Sequence, residues 1–407
     1  MSTPAYPSVS ASQNAASLAW PAALALAAAM GIGRFAFTPV WPLMAEEGGL
    51  SLTQGGWMAS ANYIGYLLGA LAAVAWPVRR LRGRLAVSLL AVALLTLAMP
   101  LFHSVAAWSA LRLAAGYASA SAFICVVAWR PVPPGDPREV GAAAVTYAGV
   151  GAGIALTGLA CLALMAGNVR ADGMWLTLGT ITLALSAIAW PGLNRHAAPV
   201  TRSAAAAAPA RLPSSISRLA LHYGVFGIGY IIPATFLPAM AKEIIPDPAI
   251  FGWAWPLFGL AAAVSCLLVP RLARGRDEKA VWQGAQALMA LGMVTVAVWH
   301  HIAAVIVASL LVGGTFMVIT QAGMLTARRA AKASAARAAA VMTAAFAAGQ
   351  ILGPLLASWA EHWGAGLPQV LGAGAAMLAL SAWRLGKITT DDSSAGHNAI
   401  GPQGRTH

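Results

Sequence analysis

The sequence predicts an all-α membrane protein, with twelve transmembrane helices in two parallel-repeat six-helix halves. Charged residues make up only 9% of the 407, where a soluble domain carries about 25%, and mean hydropathy is +0.72. The second observation is an internal repeat. Residues 31–44, GIGRFAFTPVWPLM, recur 196 positions later as 227–240, GIGYIIPATFLPAM, with Gly31/Gly227, Ile32/Ile228, Gly33/Gly229, Pro42/Pro238 and Met44/Met240 in register. The same offset aligns Gly56-Trp57 with Gly252-Trp253, 142–145 with 338–341, and Gly153 with Gly349. One match in so Ala- and Gly-rich a chain is weak, but several stretches sharing one register are not chance. Halves that keep helix order are one known way of building a transporter.

About 20 apolar residues cross a bilayer core. On that rule the first half holds spans at 18–44, 54–76, 85–101, 105–129, 140–166 and 174–190. The second half holds spans at 217–241, 250–269, 280–299, 302–326, 338–359 and 367–385. Residues 1–17 contain no Lys or Arg, so the basic start of a secretory signal is missing and the first apolar run reads as a retained span. The domain pattern is a cytoplasmic N-terminus (1–17), a six-helix half (18–190), a linker (191–216), a second half (217–387) and a tail (388–407). The linker is rich in Ala, Pro, Ser and isolated Arg, a composition that suits a flexible tether.

Basic residues are retained on the cytoplasmic side of a membrane protein. Of the 25 Lys and Arg, twenty-one fall in one set of alternate loops and termini, and only Arg170 and Lys242 in the other. That places both termini in the cytoplasm and leaves Arg34 and Arg112 inside spans. The formal charge of +13 is therefore largely a topology signal. A nucleic-acid partner would need basic residues clustered on a folded surface. Cys125, Cys161 and Cys266 sit in apolar runs at unrelated spacings, so neither a disulfide framework nor a metal site is indicated, and no cofactor is expected. The expected partners are a small-molecule substrate and the lipid bilayer, with the chain a monomer.

After the second span of each half comes a basic loop, Arg80 with Arg82-Gly83-Arg84 and then Arg274-Gly275-Arg276. With twelve spans in parallel halves, these loops resemble the G-x-x-x-D-R-x-G-R motif of the major facilitator superfamily. Arg80 and Leu272 stand where that pattern puts Asp, so a latch built on that carboxylate must be made differently here or be absent. In the fourth span Arg112 and Gly116 match the superfamily's R-x-x-x-G pattern. Gly31-Ile32-Gly33-Arg34-Phe35, Thr38-Pro39 and Pro42-Leu43-Met44 resemble the first-helix signature of the YbfB/YjiJ branch, and 223–233 fits it too. The resemblance implies a major facilitator fold and an inner-membrane transporter, and names no substrate.

Arg34 stands 16 residues into its span, ~24 Å along a helix that rises about 1.5 Å per residue. A central Arg costs roughly 2.5 to 3.5 kcal/mol on insertion scales, so it should face a wet cavity or a partner. No span interior contains an Asp or Glu to pair with it. Two readings follow. Arg34 binds backbone carbonyls freed where Pro39 and Pro42 interrupt the helix, or its planar fork of donors pairs with an anionic substrate. Arg112 either reads substrate or snorkels to the interface, and His222 is a satisfied interfacial histidine rather than a proton relay. Trp20, Trp76, Trp129, Trp190, Trp299, Trp359 and Trp363 fall near span ends as an interfacial belt.

The substrate-binding set is Arg34, Arg112, Phe35, Thr38, Tyr63 and Tyr230, with Phe37, Tyr66 and Phe226 at similar depth. Gly31, Gly33, Pro39, Pro42, Gly116, Gly227, Gly229, Pro233, Gly353 and Pro354 are expected to serve close packing or bending between moving halves. The leading expectation is a secondary transporter of a small solute such as an organic anion; an exporter of neutral sugars or drug-like compounds is the alternative. ATP is not its direct energy source, because a Walker-type G-x-x-x-x-G-K-[ST] is missing. A membrane enzyme would need a catalytic constellation at one depth, which the spans do not offer, and a sensor would need a soluble domain where the loops are short.

Overall fold

The computed structural model describes residues 9–75, 80–129, 132, 136–195, 212–244, 252–299, 301–331 and 334–388. Residues 1–8, most of the predicted linker (196–211), most of the tail (389–407) and Trp76 lie outside them. The helices are α1 (Val9–Leu26), α2 (Phe37–Gly48), α3 (Leu52–Ala75), α4 (Leu81–Leu97), α5 (Val105–Ala128), α6 (Glu139–Ala166) and α7 (Ala171–Arg195). Then come α8 (Ser214–Ile244), α9 (Ala254–Leu272), α10 (Glu278–Val298), α11 (Ile302–Ala331), α12 (Ala335–His362) and α13 (Leu367–Gly386). Since α1 and α2 form one broken span, these make twelve transmembrane units. Nine of them are long and apolar enough to cross a membrane by length and composition alone, among the described residues.

Leucines such as Leu68, Leu90, Leu94, Leu260, Leu291 and Leu355 are exposed on the outer faces, as lipid-facing helices require and a water-facing protein avoids. One continuous core runs through both halves, from Tyr66, Phe123 and Tyr147 to Tyr223, Phe226, Phe316 and Phe346. The repeat is visible in packing. In the first half, a Cβ on Gly153 would lie 2.8 Å from the Gly31 Cα; in the second, one on Gly349 would lie 3.1 Å from the Gly227 Cα. Each half thus closes its first helix on its fifth through the same pair of glycines, a distance only Cβ-less residues permit. Between the halves, Gly151 abuts Gly259 and Ala263, and Gly158 abuts Pro256.

The first span departs from the prediction. Its break precedes Pro39 and Pro42 rather than being caused by them. A π-helical turn covers Ala27–Ile32, with Gly33 N donating to Ala28 O at 2.9 Å and Phe35 N to Met30 O at 3.3 Å. A turn follows before α2 begins at Phe37. Pro39 then sits in the first turn of α2, where a backbone N–H lacks an intrahelical acceptor in any case, and Pro42 is accommodated inside the helix. Glu46 and Glu47, expected beyond the span, belong to its last turn. α2 ends at Gly49, whose φ of 60° closes the helix in the left-handed region.

Trp129 also departs from its expected place. It is 3% exposed and donates from Nε1 to Leu193 O at 3.3 Å, so it packs inside, while Trp20, Trp299, Trp359 and Trp363 are exposed as a belt requires. α7 runs on to Arg195 and α8 starts at Ser214, which shortens the predicted linker at both ends. In the loop motif, Arg80 takes a left-handed conformation with φ 57°, Gly83 has open space around it, and Arg84 Nε donates to Ser121 Oγ at 2.9 Å. Gly275 has φ 78° between the exposed Arg274 and Arg276. After the second-half loop, Asp277 caps α10 by accepting from Ala280 N at 2.8 Å, and Glu278 bonds Arg329.

Candidate functional site

The π-turn ends where the first span's chain must bend, and that bend fixes Arg34. The bend takes the carbonyls of Gly33 and Arg34 off the helix ladder, and Arg112 of α5 meets both. Its Nη1 donates to Gly33 O at 3.3 Å and its Nη2 to Arg34 O at 3.0 Å. Arg112 is 4% exposed with its guanidinium 5.0 Å from the Phe37 ring centre, which excludes snorkelling. The carbonyl-binding role foreseen for Arg34 thus belongs to Arg112. Asn62 of α3 steadies Arg112 in turn, its Nδ2 donating to Arg112 O at 2.9 Å. Gly116 lets α5 close on the Asn62 carbonyl.

Arg34 is left to face the centre. It is 3% exposed, and its guanidinium carbon lies 3.7 Å over the Tyr66 ring, with Phe35 and Tyr63 at 5.7 and 5.8 Å. Stacking of this kind satisfies a buried guanidinium electrostatically without using its N–H groups. Its Nη2 donates to Oε1 of Gln350 in α12, across the boundary between the halves. Its Nε and Nη1 have no hydrogen-bond partner among the described residues.

Arg34 opens onto a narrow central cavity of about 20 Å³, space for roughly one water. The walls are aromatic and sulfur-rich, including Phe35, Tyr66, Phe123, Phe316, Phe346 and Met317, and Arg34 supplies the lining's one charge. Tyr230 stacks behind this wall, 4.3 Å from Phe316 with planes 14° apart. Thr38 stands in the first turn of α2, apart from the cavity lining. His222 Nδ1 lies 2.8 Å from Ser381 Oγ, away from that lining.

The two halves also meet towards each end of the spans. At the basic end, Glu139 of α6 is 6% exposed, with Arg328 of α11 at 3.5 Å and Arg329 at 4.0 Å. At the other end the halves meet through Gly158 against Pro256 and Gly252 against Leu162. Sequence reasoning missed Gln350, Asn62 and Glu139. For Gln350 the repeat held a signal, because its counterpart 196 positions earlier is the apolar Ile154.

The family model described as "Uncharacterised MFS-type transporter YbfB" matches residues 26–384. The chain belongs to this family. It is a multi-pass membrane transporter of the major facilitator superfamily, and members of that family are transporters, not enzymes. No curated protein matches the chain. Among solved structures, the YbfB-like chain is similar to the crystal structure of the human organic anion transporter MFSD10 (TETRAN), with a TM-score of 0.69 and 14% identity over 92% of this chain and 99% of that one. At that identity the likeness carries the fold alone.

Proposed function

We propose that the protein is a secondary transporter that carries a small organic anion through the inner membrane by alternating access, with Arg34 reading the anionic group. The observation that carries this reading is the state of Arg34. It is a cation 3% exposed at the centre of a membrane protein, with two donors lacking partners among the described residues and no carboxylate in the cavity lining. In a low-dielectric site an uncompensated guanidinium attracts negative charge and repels cations. The aromatic wall takes an apolar body and gives few partners to the hydroxyls of a sugar. One charge in the lining favours a monoanion. The resemblance in fold to a protein described as an organic anion transporter is consistent with this class. A cavity of about 20 Å³ holds no organic solute, so the site fills when one end opens.

The test is a thermal-shift screen of purified protein against acids, sugars, amines and lipophilic cations, followed by transport in proteoliposomes. Organic acids should stabilise the wild type. Arg34→Lys, which keeps charge but loses the bidentate fork, should weaken transport, and Arg34→Ala should nearly abolish it at unchanged expression. Selective stabilisation by lipophilic cations, or intact transport by Arg34→Ala, overturns the reading.

A further inference from the structure

Of the three buried glutamines in the second half, Gln321 has neither amide atom hydrogen-bonded among the described residues, and Gln286 and Gln350 have opposite environments. Gln286 is 0% exposed and held at both ends: Oε1 accepts from Trp282 Nε1 at 2.9 Å and Nε2 donates to Leu378 O at 3.2 Å. That is how a structural glutamine is satisfied. Gln350 is also 0% exposed, but only its Oε1 is engaged, by Arg34 Nη2, while Nε2 has no partner among the described residues. One bond, to the first half of the protein, fixes its carboxamide.

The atom it engages matters. A guanidinium takes a carboxylate through two parallel bonds, along either its Nε/Nη2 or its Nη1/Nη2 edge. Nη2 is common to both. Nη2 carries one N–H for each edge, so an anion that takes the edge Gln350 occupies must displace it, and Nε and Nη1 stand without partners on either side. The contact is also absent from the repeat-related position, where Tyr230 and Ile154 replace Arg34 and Gln350. The packing of the halves does not require it.

We propose that Gln350 determines specificity by standing in for the substrate: its carboxamide oxygen occupies Arg34 in the empty carrier, and an anionic substrate displaces it. This rests on the reading of Arg34 as the anion site. A neutral oxygen compensates a cation poorly, so a carboxylate outcompetes it, while a neutral solute offers no more than Gln350 already does and is refused. Displacement also breaks the bond between Arg34 and the second half, so binding and release of the halves occur together. A glutamate at 350 would neutralise Arg34 permanently, which gives the position its need for an amide.

The experiment uses benzoate, a monoanion with an aromatic body, and its neutral isostere benzamide, titrated against full-length purified wild type, Gln350→Leu, Gln350→Glu and Arg34→Ala by calorimetry. Removing the competitor should tighten benzoate binding about tenfold in Gln350→Leu, the weight of one hydrogen bond to a charged group. Gln350→Glu should lose benzoate binding, and benzamide should gain nothing in any variant. A glutamine that only positions Arg34 would give the reverse, weaker binding in Gln350→Leu. If that variant aggregates, Gln350→Met, of similar length and without the carboxamide, carries the same expectation. Benzoate binding that requires Arg34 but is unchanged or weakened in both variants overturns the proposal alone. No benzoate binding by wild type and by both variants, or equal binding by Arg34→Ala, overturns the reading of Arg34 and the proposal with it.

Discussion

Glu139 at the start of α6 and Arg328 near the end of α11 join the two halves at the basic end, Oε1 3.5 Å from Nη2 with side chains 8% and 12% exposed. Pairs this buried are costly to break from one side, because the remaining charge keeps its desolvation penalty. Arg329, which also bonds Glu278, is a second cation for Glu139. Glu139→Gln and Arg328→Gln should therefore each destabilise the protein by about 1 to 3 kcal/mol, with the double variant no worse than the poorer single one. Unfolding in mixed micelles measures the cycle. Additive losses would show that the two residues act independently.

Arg112 and Arg34 should separate in their readouts. Arg112 gives two bonds to backbone carbonyls at the break of the first span, and bonds from charged donors contribute about 1.5 to 3 kcal/mol each. Arg112→Lys, with a single ammonium in place of the fork, should melt at lower temperature yet still bind organic acids. Arg34→Ala should lose acid binding while folding normally. Because the break precedes the prolines, Pro39→Ala/Pro42→Ala should keep transport. Equal loss of binding and stability in both arginine variants would show that the two share one role.

The twelve spans, the repeat and the position of Arg34 were legible because each is a property of residue type along the chain: hydropathy, glycine register, and a charge where charge is expensive. The break at 27–36 was not legible. A π-turn is one extra residue per turn of backbone, and in a run of Ala and Met it leaves no mark in side-chain chemistry, whereas Pro39 and Pro42 advertise a break they do not cause. Gln350 reads in isolation as one polar residue in an apolar helix. Its meaning comes from an arginine 316 positions away. Glu139 carries no signal of its own in the sequence, since its partners arrive only when α6 meets α11.

Gly31 provides a steric test of the helix contact inside the first half. A Cβ there would lie 2.5 Å from the Gly153 Cα, closer than two helices can yield without moving apart. Gly31→Ala should cost about 1 to 3 kcal/mol by overpacking and impair transport. Gly56→Ala is the control, because a Cβ at Gly56 meets nothing within 4 Å; its melt should match or exceed the wild type. A silent Gly31→Ala would show that the close contact does not matter.

Asp136, in the loop before α6, accepts from Arg138 through its backbone N at 2.7 Å and through Nε and Nη2 at 3.0 and 2.8 Å. The side-chain bond to Arg138 is the main cause that holds its carboxyl down at about 2. The folded value lies below the unfolded one of about 3.9, so the pair stabilises above pH ~4 and that contribution fades as pH falls toward ~2. The pair sits partly exposed in a loop and the effect is small. Melting curves of wild type and Asp136→Asn should run parallel from about pH 5 to 8. A gap that widens across that range would assign the titration elsewhere.

The loops predict sidedness, which can be tested without a substrate. Twenty-one of 25 Lys and Arg fall on one set of connections, and cytoplasmic loops keep an excess of them. On the opposite side Arg170 stands 3.6 Å from Glu47. Asp172 opens α7 next to that pair, and Arg195 closes the same helix at the other end. An alkaline phosphatase fused after Asp172 should therefore be active, and one fused after Ser203, between the halves, inactive. The reverse pattern would invert the protein in the membrane and put the Glu139 to Arg328 contact on the periplasmic side.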